Sequence, residues 1–185
     1  HSTSRRQRQM CIRDRKSIEH GQLIDEPTMK LIAEKGVWLS MQPFIGEGNN
    51  HYTNPVQQAK HELVVQGTDR AYQLAKKYGV KLAWGTDLLF SPANARNQNL
   101  NIEKMTRWFS NFEILKMITH DNAELLALSG RRNPYPGKLG VIEEGALADL
   151  IVVDGNALED IKVLTDPGKN MLLIMKDGKI YKNDL

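Results

Sequence analysis

Apolar and polar positions along the chain alternate between two periods. From Lys16 onward, short apolar runs of strand length are followed by longer stretches with helical spacing. Residues 17–20 read as a short strand. Asp25 stands where a helix N-cap belongs, with Pro27 in the first turn and Met29, Ile32 and Ala33 on one face. Gly36 follows as the stop. Residues 37–41 predict the next strand, and residues 42–54, rich in Gly and Asn, a loop. Pro55 opens a long helix with Val56, Ala59, Leu63, Ala71, Leu74, Ala75 and Tyr78 at approximate helical spacing, a break at Gly67 and an end at Gly79. The unit then repeats, with a third strand that runs into Gly85-Thr86-Asp87.

Strand and helix in short succession predict a parallel sheet with right-handed crossovers. Residues 91–100 read as a polar loop. Two helices follow at 102–109 and 111–119, the second with Ser110 and Glu113 at capping-box spacing, and a third at 122–128 stops at Gly130. The composition changes at 131–137, Arg-Arg-Asn-Pro-Tyr-Pro-Gly, which reads as a linker. Beyond it Val141, the apolar runs 150–153 and 171–175, and Asp177-Gly178 between strand-like stretches predict a β-rich segment with a hairpin. The expected organisation is a leader at 1–15, an α/β part at 16–130, the linker, and a β segment at 138–185.

Charge changes this picture only at the start. The net charge of +3 and pI of 8.9 suit a nucleic-acid binder, but residues 1–15 hold five Arg and one Asp. The other 20 basic and 21 acidic residues leave the body at −1. Without a basic stripe, nucleic-acid binding is excluded. The Arg-rich leader has neither hydrophobic periodicity nor the apolar core of a signal peptide, and it resembles translated adaptor sequence more than native protein. Cys11, the single cysteine, lies inside it, so neither a disulfide framework nor a Cys-based metal site is expected. No apolar run approaches the length needed to cross a membrane; a cytoplasmic location is the default expectation.

The candidate chemistry sits at strand ends, where parallel α/β folds build their sites. His20 ends the first strand and Asp87 follows the third. Each has a plain structural reading beside the functional one: a histidine satisfied by a backbone carbonyl, and a cap for the next turn. His51, in the loop after the second strand, and Arg96, in the loop after Asp87, are the further candidates for substrate contact. His61 on the long helix and His120 at the end of another read as structural, Trp38 and Trp84 as strand core, and Trp108 as helix packing. No Gly-rich phosphate loop, serine nucleophile elbow or Cys-His pair occurs. That argues against nucleotide binding and acyl-enzyme chemistry.

Four motifs in order, Ile18-Glu19-His20-Gly21, Gly85-Thr86-Asp87, Asn122-Ala123-Glu124-Leu125-Leu126 and the segment GVIEEGALADLIVVD at 140–154, resemble the C-terminal half of the amidohydrolase superfamily. The nearest likeness is to its imidazolonepropionase-like and Xaa-Pro or Xaa-Arg dipeptidase-like branch. The resemblance implies the last three βα units of a (β/α)₈ barrel followed by a small β-sandwich segment. It also implies a metal-dependent hydrolase, with one or two divalent ions, zinc above all, acting on an amide or dipeptide-like C–N bond. His20 would then be a metal-ligating or catalytic histidine. Asp87 would be both metal ligand and proton carrier, since a carboxylate can serve as either. The paired histidines, lysine or glutamate and further histidine that such a site takes from earlier strands have no counterpart here. No His-x-His occurs anywhere in the chain, so the chain alone is expected to be inactive. A deaminase or cyclic-imine hydrolase of the same superfamily, or a non-catalytic α/β binding module, stands as the alternative; homo-oligomers are compatible with each.

Overall fold

In the computed structural model, which describes residues 15–46, 54–88 and 95–185, strand β1 (Ser17–Glu19), β2 (Trp38–Met41) and β3 (Leu82–Trp84) form a parallel sheet in the order β1-β2-β3. The central strand is buried along its whole length, as strands covered on both faces are. Two compact units meet in the sequence between Gly85 and Thr86, and this sheet belongs to the first.

Helix α1 (Glu26–Lys35) connects β1 to β2. It starts where Asp25 accepts a hydrogen bond from the Thr28 amide at 2.9 Å and ends at Gly36. Its apolar face places Met29 and Ile32 against the sheet side of the unit, both fully buried. Helix α2 (Pro55–Tyr78) connects β2 to β3, capped by Asn54 and ended by Gly79. Its C-terminal half supplies Ala71, Tyr72 and Ala75 to the same core as Leu39 and Met41. Each large apolar side chain in that core contributes about 1.5–3 kcal/mol through burial.

The break expected at Gly67 is absent: α2 runs unbroken for 24 residues. Gly67 serves packing. A Cβ there would stand 2.3 Å from the Gln22 carbonyl oxygen, so only glycine lets the helix approach that backbone. The choice costs about 1 kcal/mol of helix propensity relative to alanine.

The second unit contains α3 (Leu100–Lys104) and a 3₁₀ turn at Met105–Arg107. Helix α4 (Asn111–Lys116) carries the expected capping box between Ser110 and Glu113. The helices expected separately at 111–119 and 122–128 form one continuous run. A π-helical turn, Met117–Asp121, joins α4 to α5 (Asn122–Ala127). A wide turn absorbs the change of phase that would otherwise end the helix.

The β-rich tail is a three-stranded antiparallel sheet of β4 (Leu150–Val153), β5 (Met171–Lys176) and β6 (Lys179–Asn183), in that order. The β5–β6 hairpin turns through Asp177 and Gly178, both with positive φ, the geometry that matches strand twist in a two-residue turn. Before β5 stand a 3₁₀ turn, Ile161–Leu164, and the one-turn α6 (Pro167–Asn170). Val141 lies outside any strand; its neighbourhood makes only the isolated bridge between Lys138 and Ala146. The fold is thus mixed α/β, with a parallel and an antiparallel sheet. No helix among the described residues is long and apolar enough to cross a membrane.

Candidate active site

The chain turns as soon as β1 ends. His20 adopts φ 60° and ψ 52°, the left-handed region, and opens the 3₁₀ turn Gly21–Leu23. For a residue with a Cβ this conformation stores strain of about 1–3 kcal/mol. It is held by the His20 amide, which donates to the Ser40 carbonyl at 3.1 Å and so extends the β1–β2 ladder by one residue.

Gln42 leaves β2 as His20 leaves β1, so the two side chains meet at neighbouring strand ends. His20 Nδ1 lies 3.0 Å from Gln42 Oε1, and Gln22 Nε2 donates to that same oxygen at 3.1 Å. An amide oxygen only accepts. Nδ1 therefore carries a proton, and in the neutral form of the ring the lone pair is then on Nε2. Gln22 and Gln42 are 3% and 5% exposed. Being buried, they fix the ring plane; His20 itself is exposed. An imidazole oriented through one nitrogen with a lone pair on the other suits a metal ligand or a hydrogen-bond acceptor.

The ring opens on a cleft of 540 Å³. Gln22, Leu23 and Phe44 line it on the strand-end side, and His61 stands among the residues of α2 that line the other. His61 therefore has a place beyond the structural role expected from its helix. Its signal in the sequence is that it shares a helical stripe with Val64, Thr68 and Ala71, so a polar side chain occupies the face that elsewhere enters the core.

Asp87 lies three residues beyond β3, at the start of the second unit, exposed and with φ 52°. His20, Asp87 and Asp177 are the non-glycine residues with positive φ among the described residues. The hairpin accounts for the third. The other two are the side chains at the ends of β1 and β3. Arg96 is exposed in the second unit, and His51 lies outside the described residues. His120 pairs through Nδ1 with Asp121 Oδ1 at 2.9 Å, and Asp121 also accepts from Lys116. That pairing is consistent with a structural role for His120.

Among the described residues no group of three or more His, Cys, Asp or Glu converges as a metal site would require. The donors among the described residues do not complete a site by themselves.

The chain is 32% identical over 171 residues to ochratoxinase of Aspergillus niger, an alignment that covers 90% of the chain and 34% of that enzyme. It thus spans about a third of the length of the curated relatives it matches. The crystal structure of a prolidase complexed with N-methylphosphonate-L-proline superposes with a TM-score of 0.77 at 30% identity, covering 95% of this chain and 43% of that one. The crystal structure of A. niger ochratoxinase superposes with a TM-score of 0.72 at 28% identity, covering 91% and 37%. The sequence profile of the Amidohydrolase family matches residues 8–181, and the chain belongs to that family.

Proposed function

We propose that this chain is the C-terminal part of a hydrolase that cleaves an amide or peptide-like C–N bond by an activated water. The observation that carries the reading is the left-handed backbone at His20 and Asp87. Strain of that kind, in side chains at strand ends, collects at functional positions. The names of the relatives, ochratoxinase and prolidase, support the bond type.

In this reading β1–β3 and their helices are the last three βα units of a (β/α)₈ barrel spanning 16–130. Residues 131–137 are the linker, residues 138–185 belong to a β-sandwich, and residues 1–15 are a leader. The family implies a divalent metal, zinc in our reading. The full-length protein would take its remaining ligands from residues outside this chain, and the chain alone does not turn over substrate. From this chain, His20 offers Nε2 as ligand or acceptor while Gln42 and Gln22 hold its ring. Asp87 accepts the proton released by the attacking water and returns it to the leaving nitrogen. Arg96 and His51 are substrate contacts in the same reading. The protein is cytoplasmic and acts on a small polar amide or dipeptide-like substrate, with self-association as homo-oligomers.

The test is an assay of the full-length protein on N-acyl amino acids and dipeptides, following release of the amine. Hydrolysis is expected, with His20→Ala and Asp87→Asn each lowering kcat by about 10²-fold or more. A full-length protein that hydrolyses none of these amides, or whose His20 and Asp87 variants keep full activity, overturns the reading.

A further inference from the structure

Helix α2 is longer than its packing role requires. Strands β2 and β3 are parallel, so α2 must run back against them, with its first residues on the side of the strand C-termini. Its contact at Gly67 marks the level of those ends, because the Gln22 backbone it touches belongs to the turn that follows β1. The 12 residues from Pro55 to Gln66 therefore extend about 18 Å past the strand ends.

One stripe of the helix changes character at that level. Below it, Gly67, Thr68, Ala71, Tyr72 and Ala75 are buried in the core. Above it, the positions that continue the stripe at i, i+3, i+4 and i+7 are Gln57, Lys60, His61 and Val64, and all four line the 540 Å³ cleft that holds His20. A helix face that only covered apolar surface would continue with apolar residues. This one presents an amide, an ammonium and an imidazole, while Leu23 and Phe44 face the cleft from the strand-end side.

We propose that the N-terminal half of α2 is the specificity wall of the cleft, with Lys60 and His61 positioning an anionic group of the substrate, a carboxylate in the simplest case, while Leu23, Phe44 and Val64 receive its apolar body. The inference rests on the hydrolase reading above and adds the substrate class and the residues that select it. Lys60 is a point charge at the end of a flexible stem. His61, half-buried, supplies a directional N–H. Neither touches the scissile bond in this assignment; both set where the amide sits relative to His20.

The experiment uses the full-length protein with N-acetyl-L-phenylalanine and its methyl ester, which differ in the anionic group alone. Binding is measured by equilibrium dialysis and turnover by amine release. The acid is expected to bind about tenfold or more tighter than the ester, as loss of a charge-assisted hydrogen bond implies. Lys60→Gln combined with His61→Gln should raise KM for the acid by that factor, with a much smaller change in kcat, and bring the acid-to-ester ratio near one. Lys60→Arg should restore most of the preference, which a merely structural role would not do. Equal binding of acid and ester by the unaltered protein, or an unchanged ratio in the double variant, overturns the proposal. Acid-selective binding that is lost in the double variant, in a protein that hydrolyses neither compound nor any of the other N-acyl amino acids and dipeptides, would end the hydrolase reading and leave the wall assignment standing.

Discussion

Gly67 and the Gln22 carbonyl approach so closely that a Cβ at position 67 would stand 2.3 Å from the oxygen and 3.1 Å from the carbonyl carbon. The atoms in the way are backbone, so neither can swing aside.

Two effects of Gly67→Ala therefore compete. The helix gains about 1 kcal/mol of propensity, but the extra methyl forces apart two backbone segments that meet in a packed interior, at a cost of about 1–3 kcal/mol or more. The clash wins, and the variant should be less stable by denaturant titration. Because the displaced segment is the His20–Gln22 turn, turnover should fall further than the loss of folded protein explains. A Gly67→Ala protein as stable as the parent would mean the helix does not seat on that turn.

The tautomer of His20 depends on a neighbour 22 residues away. Gln42→Leu removes the shared acceptor and leaves the Gln22 amide and His20 Nδ1–H to find other partners, at about 1–3 kcal/mol for a buried donor. Groups that orient a ligating histidine typically carry about 10–100-fold in affinity or activity, and a loss of that size is expected here with the fold intact. Nitrogen-15 shifts of the His20 ring give the direct check. The parent ring should be protonated at Nδ1 and the variant mixed; an unchanged tautomer would remove Gln42 from its orienting role.

The acid limb of the stability curve should contain a contribution from Glu26. Hydrogen bonds from Lys77 and Tyr78 and the Lys77 charge hold its carboxyl at about 2, below the ordinary 4.5. A carboxylate depressed in the folded state contributes stability above its unfolded value, and loses it as pH falls through the folded one. The window is therefore about pH 4.5 down to 2. Glu26→Gln should flatten stability across that window in acid titrations of the unfolding midpoint. Both partners are largely exposed, at 45% for Glu26 and 60% for Lys77, so solvent and salt weaken the pair. The difference should be small and should shrink as salt is added. A curve with the same acid slope in parent and variant would show that the pair does not persist in solution.

Much of the fold was legible because its signals are local. Asp25 caps α1, Pro55 opens α2, Gly36 and Gly79 end them, Ser110 and Glu113 close the capping box, and Asp177-Gly178 turns the hairpin. Each acts within a few residues through backbone geometry, which composition and spacing report directly. The placement of His20 and Asp87 just past strand ends was legible for the same reason: a short apolar run fixes each strand, and the two residues stand one and three positions beyond it.

Other features had no local signal. Nothing around Gly67 distinguishes a break from a close approach, because the atom that demands glycine belongs to Gln22. The joining of α4 to α5 through a π turn at Met117–Asp121 is marked by no residue in the sequence, and Ile114 and Met117 on either side of its start are both buried. The orienting role of Gln42 needs a partner 20 residues away in Gln22, and His61 acquires the cleft only because α2 overshoots the strand ends. The sequence by itself determined the succession of strands, helices and turns, the two strand-end side chains and the family pattern, since caps, periodicity and motif order are properties of neighbouring residues. Only the tertiary structure decided which nitrogen of His20 meets Gln42 and which helix face walls its cleft, because those follow from contacts between segments that the chain brings together after its local structure is set.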